Sequence, residues 1–213
     1  MSAPDIAGLR GDYSLKTLDE SEVDRDPLKQ FGVWMVEAIH AQVPEPTAMS
    51  LSTVGANGRP AGRIVLLKGV DPRGFVFYTN YASRKARELE SNPRAALVFY
   101  WRGLGRQVRV EGRVERVARE EAETYWRSRP AASRLSATAS RQSEPVESRE
   151  ELERAVERVR AEHGDEPPLP EHWGGYRVVP DAIEFWIHDP ARLHDRFQYR
   201  RSGDEWTVER LQP

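Results

Sequence analysis

The sequence contains no cysteine among its 213 residues. This absence excludes disulfide bonds, thiolate nucleophiles and cysteine-ligated zinc or iron–sulfur clusters, so any redox chemistry would need a bound cofactor. Long apolar runs are also lacking, since no stretch approaches the roughly 18 residues of a membrane-spanning helix. Hydrophobic residues make up 38% and charged residues 31% of the chain. The composition therefore predicts a water-soluble globular protein with no membrane partner.

The chain also lacks an excess of charge of one sign, since it has 32 basic and 34 acidic residues. A general nucleic-acid binder depends on neutralising phosphates, so this balance disfavours an RNA-binding module built on the Arg-rich segment 127–141. The N-terminus lacks a basic region followed by an apolar stretch, and we expect a cytoplasmic protein without a secretory signal. The five histidines form no HExxH motif and no close pair, so we expect no metal site.

The domain organisation follows from where periodic patterns begin. Residues 1–25 are polar and aperiodic, which predicts a mobile N-terminal arm, and residues 26–213 are long enough for a single domain with one core. Asp26 as N-cap and Pro27 at the first helical position precede an apolar stripe at helical spacing, which predicts a helix that ends before Pro44.

From Ala48 onward the period changes to that of strands. The predicted strands are AMSLSTV, GRIVLLKGV, FVFYTN, RAALVFYW, QVRVEGRVERV, YRVVPDAIEFWI, RFQYR and EWTVERL. Gly112 predicts a bulge, Ser83 and Ser148 predict helix starts, REEAETYWRS predicts a further helix, and the composition of 128–148 predicts a flexible loop. Strands in succession without βαβ alternation predict a mainly β (α+β) fold, an antiparallel barrel with flanking helices.

Two clusters could bind phosphate, and the first of them is basic. Arg63 and Lys68 bracket IVLL, and Arg84 and Lys85 open the helix after Ser83, where free N–H groups favour an anion. A solvated basic helix start is the alternative, which spacing alone favours.

The second cluster is Tyr125, Arg129 and Ser133, which are four residues apart and would share one face of a continuing helix. Pro130 makes that helix doubtful, and a polar helix end is the more common explanation.

The run RLHDRF concentrates ionisable groups beside an apolar strand, as in many functional sites. A structural ion-pair network would explain it equally well. Trp173 and Trp186 could flank a planar cofactor, although such rings are more often part of a core.

These segments together resemble the pyridoxine/pyridoxamine 5'-phosphate oxidase family, from about Asp26 to Pro213, with a weaker match at RGDY in the arm. The motifs that carry the resemblance are PEPTAMSLSTV, RIVLLKG, GFVFYTNYASRKARELESNPRAALVFYW, RQVRVEG, YWRSRP, SRQS, WGGYRV, IEFW, RLHDRF and ERLQP. The resemblance implies a homodimer of FMN-binding split β-barrels, Greek-key-like and antiparallel, with FMN at the interface. It also implies a C-terminal dimerisation and active-site region at 170–213.

The resemblance also implies roles for particular residues. The implied FMN contacts are Arg63, Ile64, Val65, Leu66, Leu67, Lys68, Tyr78, Thr79, Arg84, Lys85, Gln107, Gln142, Ser143, Trp186 and Arg196. The implied substrate contacts are Lys68, Tyr125, Arg129 and Ser133 at the phosphate, Arg192, Leu193 and His194 at the pyridine ring, and Arg10 and Tyr13 from the arm. We expect Arg192 and His194, the implied catalytic pair, to point the same way from an extended segment.

The reaction that the resemblance implies is the oxidation of pyridoxine or pyridoxamine 5'-phosphate by dioxygen to pyridoxal 5'-phosphate. Hydrogen peroxide is a by-product, as is ammonia from the amine. One alternative is a phenazine-pathway oxidase of the same fold, which would not need the phosphate residues. Another is a non-catalytic split-barrel protein that binds flavin or haem, which would not need RLHDRF.

Overall fold

The computed structural model describes residues 18–213. The helices are α1 (Pro27–His40), α2 (Arg84–Ser91), α3 (Arg119–Ser128), α4 (Ala131–Ala139) and α5 (Arg149–His163). The strands are β1 (Ala48–Val54), β2 (Pro60–Leu66), β3 (Gly69–Asp71), β4 (Gly74–Asn80), β5 (Arg94–Trp101), β6 (Arg106–Arg116), β7 (Trp173–Ile187), β8 (Asp195–Ser202) and β9 (Glu205–Arg210). No helix in this range is long and apolar enough to cross a membrane.

The strands form one curled antiparallel sheet, a half-barrel with flanking helices, in the order β2-β1-β5-β6-β7-β4-β3. Strand β7 organises it, because its first half pairs with β4 and its second half pairs with β8, while β6 runs along both halves. The sheet therefore divides at the middle of β7. This confirms the predicted β-rich antiparallel architecture.

The division coincides with a break in the β6–β7 register between Glu111 and Gly112. A Cβ atom at Gly112 would lie 2.1 Å from the carbonyl oxygen of Val179, so the close approach of the two backbones requires glycine. Pro180, opposite Gly112, donates no ladder hydrogen bond and suits the same irregularity. The bulge predicted from Gly112 is confirmed.

Helix α1 starts as the sequence predicts. The carboxylate of Asp26 accepts the N–H of Leu28 at 2.9 Å, and Pro27 occupies the first turn. Its inner face buries Phe31 and Trp34 against the aromatic core of the sheet, where Phe31 meets the ring of Phe75 edge-on at 4.9 Å. The predicted caps Ser83 and Ser148 also hold, each hydroxyl accepting an N–H in the first turn of its helix.

Part of the predicted arm lies within the described residues and contacts the sheet. Leu18 is buried, and its N–H donates to the carboxylate of Asp195 at 3.0 Å. The hydroxyl of Tyr199 donates to the carbonyl of Asp24 at 2.6 Å. The arm residues Arg10 and Tyr13 lie outside the described residues.

Three local predictions are wrong. The segment 128–148 is not a continuous loop, because alanine-rich α4 occupies its first half and buries Leu135. GRIVLLKGV is not one strand, since β2 ends at Leu66 and β3 begins at Gly69. Residues 188–194 form a turn rather than an extended segment, and Arg192 has a left-handed φ of 70°.

Candidate functional site

A cleft of about 900 Å³ opens where the ends of β2 and β4 meet helices α2 to α4. We call it the basic cleft. It brings together most of the predicted residues, although they come from distant parts of the chain. Those that line it are Arg63, Ile64, Val65, Leu66, Lys68, Tyr78, Thr79, Lys85, Tyr125, Arg129, Ser133 and Gln142. Leu67 does not line it but is buried in the core.

One wall of the cleft is a stack of aromatic rings. The ring of Tyr78 stacks on Tyr125, with centroids 4.0 Å apart, and lies nearly parallel to Trp173, with centroids 5.5 Å apart. Gly175 makes room for this stack, since a Cβ atom there would lie 2.8 Å from the Tyr78 ring. Desolvation raises the pKa of Tyr78 to about 12, so its phenol stays protonated. Trp173, a candidate for flanking a planar cofactor, lines the cleft as part of this group of parallel rings.

Arg129 is a cation that packs against that wall. Helix α3 ends at Ser128, Arg129 is extended, and α4 starts after Pro130, so the chain turns at the cleft instead of continuing as one helix. The guanidinium lies 4.5 Å over the ring of Trp173. Its Nη1 is buried without a hydrogen-bond partner among the described residues, and desolvation lowers its pKa. A buried donor without a partner is costly, which favours an anionic ligand there.

On the opposite side, Arg63 is held by a buried carboxylate that the sequence analysis missed. Its Nη2 lies 2.8 Å from Glu88, whose other oxygen accepts from Arg84 at 2.8 Å. Burial would raise the pKa of Glu88, but hydrogen bonds from Thr53, Arg84 and Arg63 outweigh burial and lower it. The four-residue spacing from Arg84 to Glu88 on α2 is the signal that could have identified this residue.

Lys85 is a half-buried cation of the same cleft. Its ammonium donates to Thr79 at 3.1 Å and to Gln142 at 2.8 Å. Desolvation, followed by the charge of Arg63, lowers the Lys85 pKa, while Glu88 opposes the shift. The segment after α4 thus covers the start of α2, where Ser143 accepts the N–H of Arg84 at 3.1 Å. Predicted residues from three separate motifs meet here.

The remaining predicted residues lie elsewhere, around the second half of β7. Gln107 of β6 and Arg196 of β8 are the cross-strand neighbours of Trp186. Arg196 is held by both oxygens of the buried Glu184, at 2.9 and 3.1 Å. None of these side chains lines the basic cleft.

Beside them is the turn formed by residues 188–194, which we call the His194 turn. The His194 ring packs against Trp186 with centroids 4.6 Å apart. Desolvation, then His188 and Arg192, lower the His194 pKa, so the ring is neutral at pH 7. Leu193 is 72% exposed, and Arg192 is exposed as well. No group of three acidic or histidine side chains in residues 18–213 is arranged to hold a metal ion.

These features define a class of protein, an antiparallel half-barrel with one basic cleft lined by aromatic rings. Two family models match the chain, "Pyridoxamine 5'-phosphate oxidase" over residues 35–163 and "Pyridoxine 5'-phosphate oxidase C-terminal dimerisation region" over 173–213. The chain belongs to the pyridoxine/pyridoxamine 5'-phosphate oxidase family.

Two named relatives belong to the same family, and one solved structure shares the fold. Pyridoxine/pyridoxamine 5'-phosphate oxidases of Paraburkholderia phytofirmans and Thermosynechococcus vestitus are 54% and 55% identical, and each alignment covers 98% of this chain and 99% of the relative. The crystal structure of PhzG from Burkholderia lata, in complex with tetrahydrophenazine-1-carboxylic acid, superposes with a TM-score of 0.89 at 32% identity. That match covers 95% of this chain and 100% of PhzG.

Proposed function

We propose that this chain is an FMN-dependent oxidase that converts pyridoxine 5'-phosphate and pyridoxamine 5'-phosphate to pyridoxal 5'-phosphate. When bound, FMN would accept a hydride from C4' of the substrate and pass the electrons to dioxygen, which gives hydrogen peroxide. The protein's own task is to bind the phosphate, orient the ring and exclude water.

The observation that carries this proposal is the buried Nη1 of Arg129 in the basic cleft, which has no hydrogen-bond partner among residues 18–213. A phosphate monoester would give this donor a charged acceptor, and charge-assisted hydrogen bonds are the strong ones. Lys68, Tyr125 and Ser133 line the same cleft and supply an ammonium and two hydroxyls. These four side chains form our proposed anchor for the substrate phosphate.

The proposed FMN contacts also fit the group by their chemistry. Arg63 and Lys85 line the cleft as cations, with Thr79 and Gln142 beside them, near the positive end of the α2 dipole. Arg84 and Ser143 complete the rim of this region. The cations Arg63 and Lys85 thus lie in the same part of the cleft, where they would suit a flavin phosphate.

We further propose a homodimer with FMN at its interface. The cleft holds one part of the predicted site, and the His194 turn with Gln107, Trp186 and Arg196 holds the other, on a different half of β7. A second copy could bring its His194 turn to the cleft of the first. The match of 173–213 to a dimerisation region supports this arrangement.

A single assay tests the function. The purified protein should be yellow with a flavin spectrum, and pyridoxine 5'-phosphate under air should yield aldehyde and peroxide in equal amounts. Unphosphorylated pyridoxine is the matched control and should react far more slowly, because it lacks the anchor. A yellow protein that ignores both compounds would contradict the proposal.

The similarity to PhzG supports a second candidate, an oxidase of reduced phenazine carboxylic acids. The Arg129 guanidinium could also pair with a carboxylate. Tetrahydrophenazine-1-carboxylic acid belongs in the same assay, where faster oxidation of it than of pyridoxine 5'-phosphate would favour the second function.

A further inference from the structure

The His194 turn is built around Asp189, a residue that the sequence analysis did not single out. One oxygen of its carboxylate accepts the N–H groups of Ala191 at 2.8 Å and Leu193 at 3.1 Å. Its carbonyl oxygen accepts the N–H of Arg192 at 3.0 Å. These bonds close the turn on itself, as aspartate side chains do when they bond to backbone two and four residues ahead.

The same residue contacts the His194 ring directly. The backbone N–H of Asp189 donates to Nδ1 of His194 at 2.9 Å. A nitrogen that accepts a hydrogen bond carries no proton, so the neutral ring has its proton on Nε2. Nε2 can then donate a hydrogen bond but has no lone pair with which to take a proton.

We infer that Asp189 is a positioning residue, which shapes the His194 turn so that His194 is held as a neutral ring with Nε2–H available to the substrate. The geometry of the turn is independent of the proposed function. Only the effect of Asp189 on catalysis rests on that function. His194 would act as a hydrogen-bond donor to an acceptor on the substrate ring, such as the ring oxygen, and not as the base.

The charges around the ring agree with this assignment. Four ionisable groups act on it, namely His188, Arg192, Asp189 and Arg196, and of these only the carboxylate favours a positive ring. The carboxylate of Asp189 is directed at the N–H groups of Ala191 and Leu193, and it is the backbone N–H of Asp189 that contacts the ring. Its influence on His194 is therefore mainly through hydrogen-bond geometry.

Asp189 also stabilises an unfavourable backbone at Arg192. A non-glycine residue at a φ of 70° is uncommon, and the surrounding structure must compensate for it. Hydrogen bonds on both sides of Arg192, at Ala191 and Leu193, provide that compensation. Loss of the carboxylate should release Arg192 and His194 together.

The experiment compares histidine ring tautomers in the 15N-labelled, FMN-loaded protein by long-range proton–nitrogen NMR, with His194 assigned from its loss in His194→Gln. The wild-type ring should be protonated at Nε2 only. Asp189→Ala should give mixed tautomers at His194, and kcat for pyridoxine 5'-phosphate should fall by about tenfold with KM within twofold. Asp189→Asn keeps an acceptor oxygen and should restore the single tautomer.

Asp204→Ala is the matched control, because Asp204 is fully exposed in the β8–β9 turn, and it should change neither readout. A wild-type ring protonated at Nδ1 overturns the inference without any variant, as does an unchanged Nε2–H tautomer in a folded Asp189→Ala. The NMR readout needs no substrate. A protein with the expected tautomers that does not oxidise phosphorylated B6 would therefore contradict the proposed function and leave the role of Asp189 intact.

Discussion

The basic cleft and the His194 turn depend on the same strand but are built in different ways. The cleft assembles side chains from β2, β4, α2, α3 and α4, and tertiary contacts such as the Arg63–Glu88 ion pair keep them in place. The turn is made of seven consecutive residues, and the hydrogen bonds that shape it run from their own backbone N–H groups to the side chains of Asp189 and His194. One region is organised by packing across the fold and the other by local bonds.

This difference indicates a division of work. The cleft offers half-buried cations and a wall of aromatic rings, which suit tight binding of a phosphate. The turn offers an exposed guanidinium and an oriented imidazole, which suit alignment of a reacting ring. We therefore expect changes in the cleft to alter binding and changes in the turn to alter turnover.

The largest effect should come from the turn. Arg192→Ala should lower kcat by about a hundredfold while KM changes little, because a misplaced ring reacts slowly even when its phosphate stays bound. Steady-state kinetics with pyridoxine 5'-phosphate measure this, and the visible spectrum should show retained flavin. Arg200→Ala, an exposed residue of β8, is the control. Near-normal turnover would remove Arg192 from the catalytic role.

Changes in the cleft should alter KM instead of kcat. Arg129→Ala should raise KM by about tenfold to a hundredfold with a small change in kcat, because a hydrogen bond to a charged group contributes about 1.5–3 kcal/mol. Arg127 lies two residues earlier, in the last turn of α3, with its side chain 77% exposed, and Arg127→Ala should leave KM unchanged. A fall in kcat alone for Arg129→Ala would break the proposed division.

Much of the fold could be predicted from the sequence, because long periodic runs leave few alternatives. The predicted strands AMSLSTV and RAALVFYW match β1 and β5 residue for residue, and the cap residues Asp26, Ser83 and Ser148 begin their helices. Helix α4 was missed because it is rich in serine and alanine and carries a single large apolar residue, Leu135. Its stability as a helix comes from Leu135 and from packing against α5.

The site was predictable only where a motif marks it. Charge and spacing pointed to part of the cleft, namely Arg63, Lys68, Lys85, Tyr125, Arg129 and Ser133. The resemblance named the other cleft residues, and the structure shows where all of them meet. Glu88 was not named although its four-residue spacing from Arg84 is a usable signal, and Asp189 was not named because its hydrogen bonds depend on the final shape of the turn. The turn at Arg192 was expected to be extended, since a left-handed arginine has no sequence signature.

A smaller effect is expected for a substitution at the rim of the basic cleft. Arg84→Ala should weaken FMN retention several-fold, because Arg84 lies at the rim with its side chain 64% exposed, and exposed charge pairs contribute little. Flavin fluorescence during dialysis measures this. Arg87→Ala on the same helix is the control. If flavin binding were lost entirely, Arg84 would belong to the centre of the flavin site instead of its rim.

The smallest effect concerns stability and pH. The Glu88 carboxyl has a pKa below its ordinary value, so its contribution to the free energy of unfolding is present above about pH 4.5 and is lost as the pH falls further. Glu88→Gln should therefore lower Tm by a few degrees at pH 7, and the difference from wild type should shrink toward pH 4.

Glu90→Gln, in a half-exposed pair on the same helix, is the control and should show a much smaller shift. The His194 tautomer should be unchanged in Glu88→Gln, because Glu88 stabilises the cleft and not the turn. If Glu88→Gln also altered that tautomer, the two regions would be coupled through the fold, and the division between an anchoring cleft and an orienting turn would have to be abandoned.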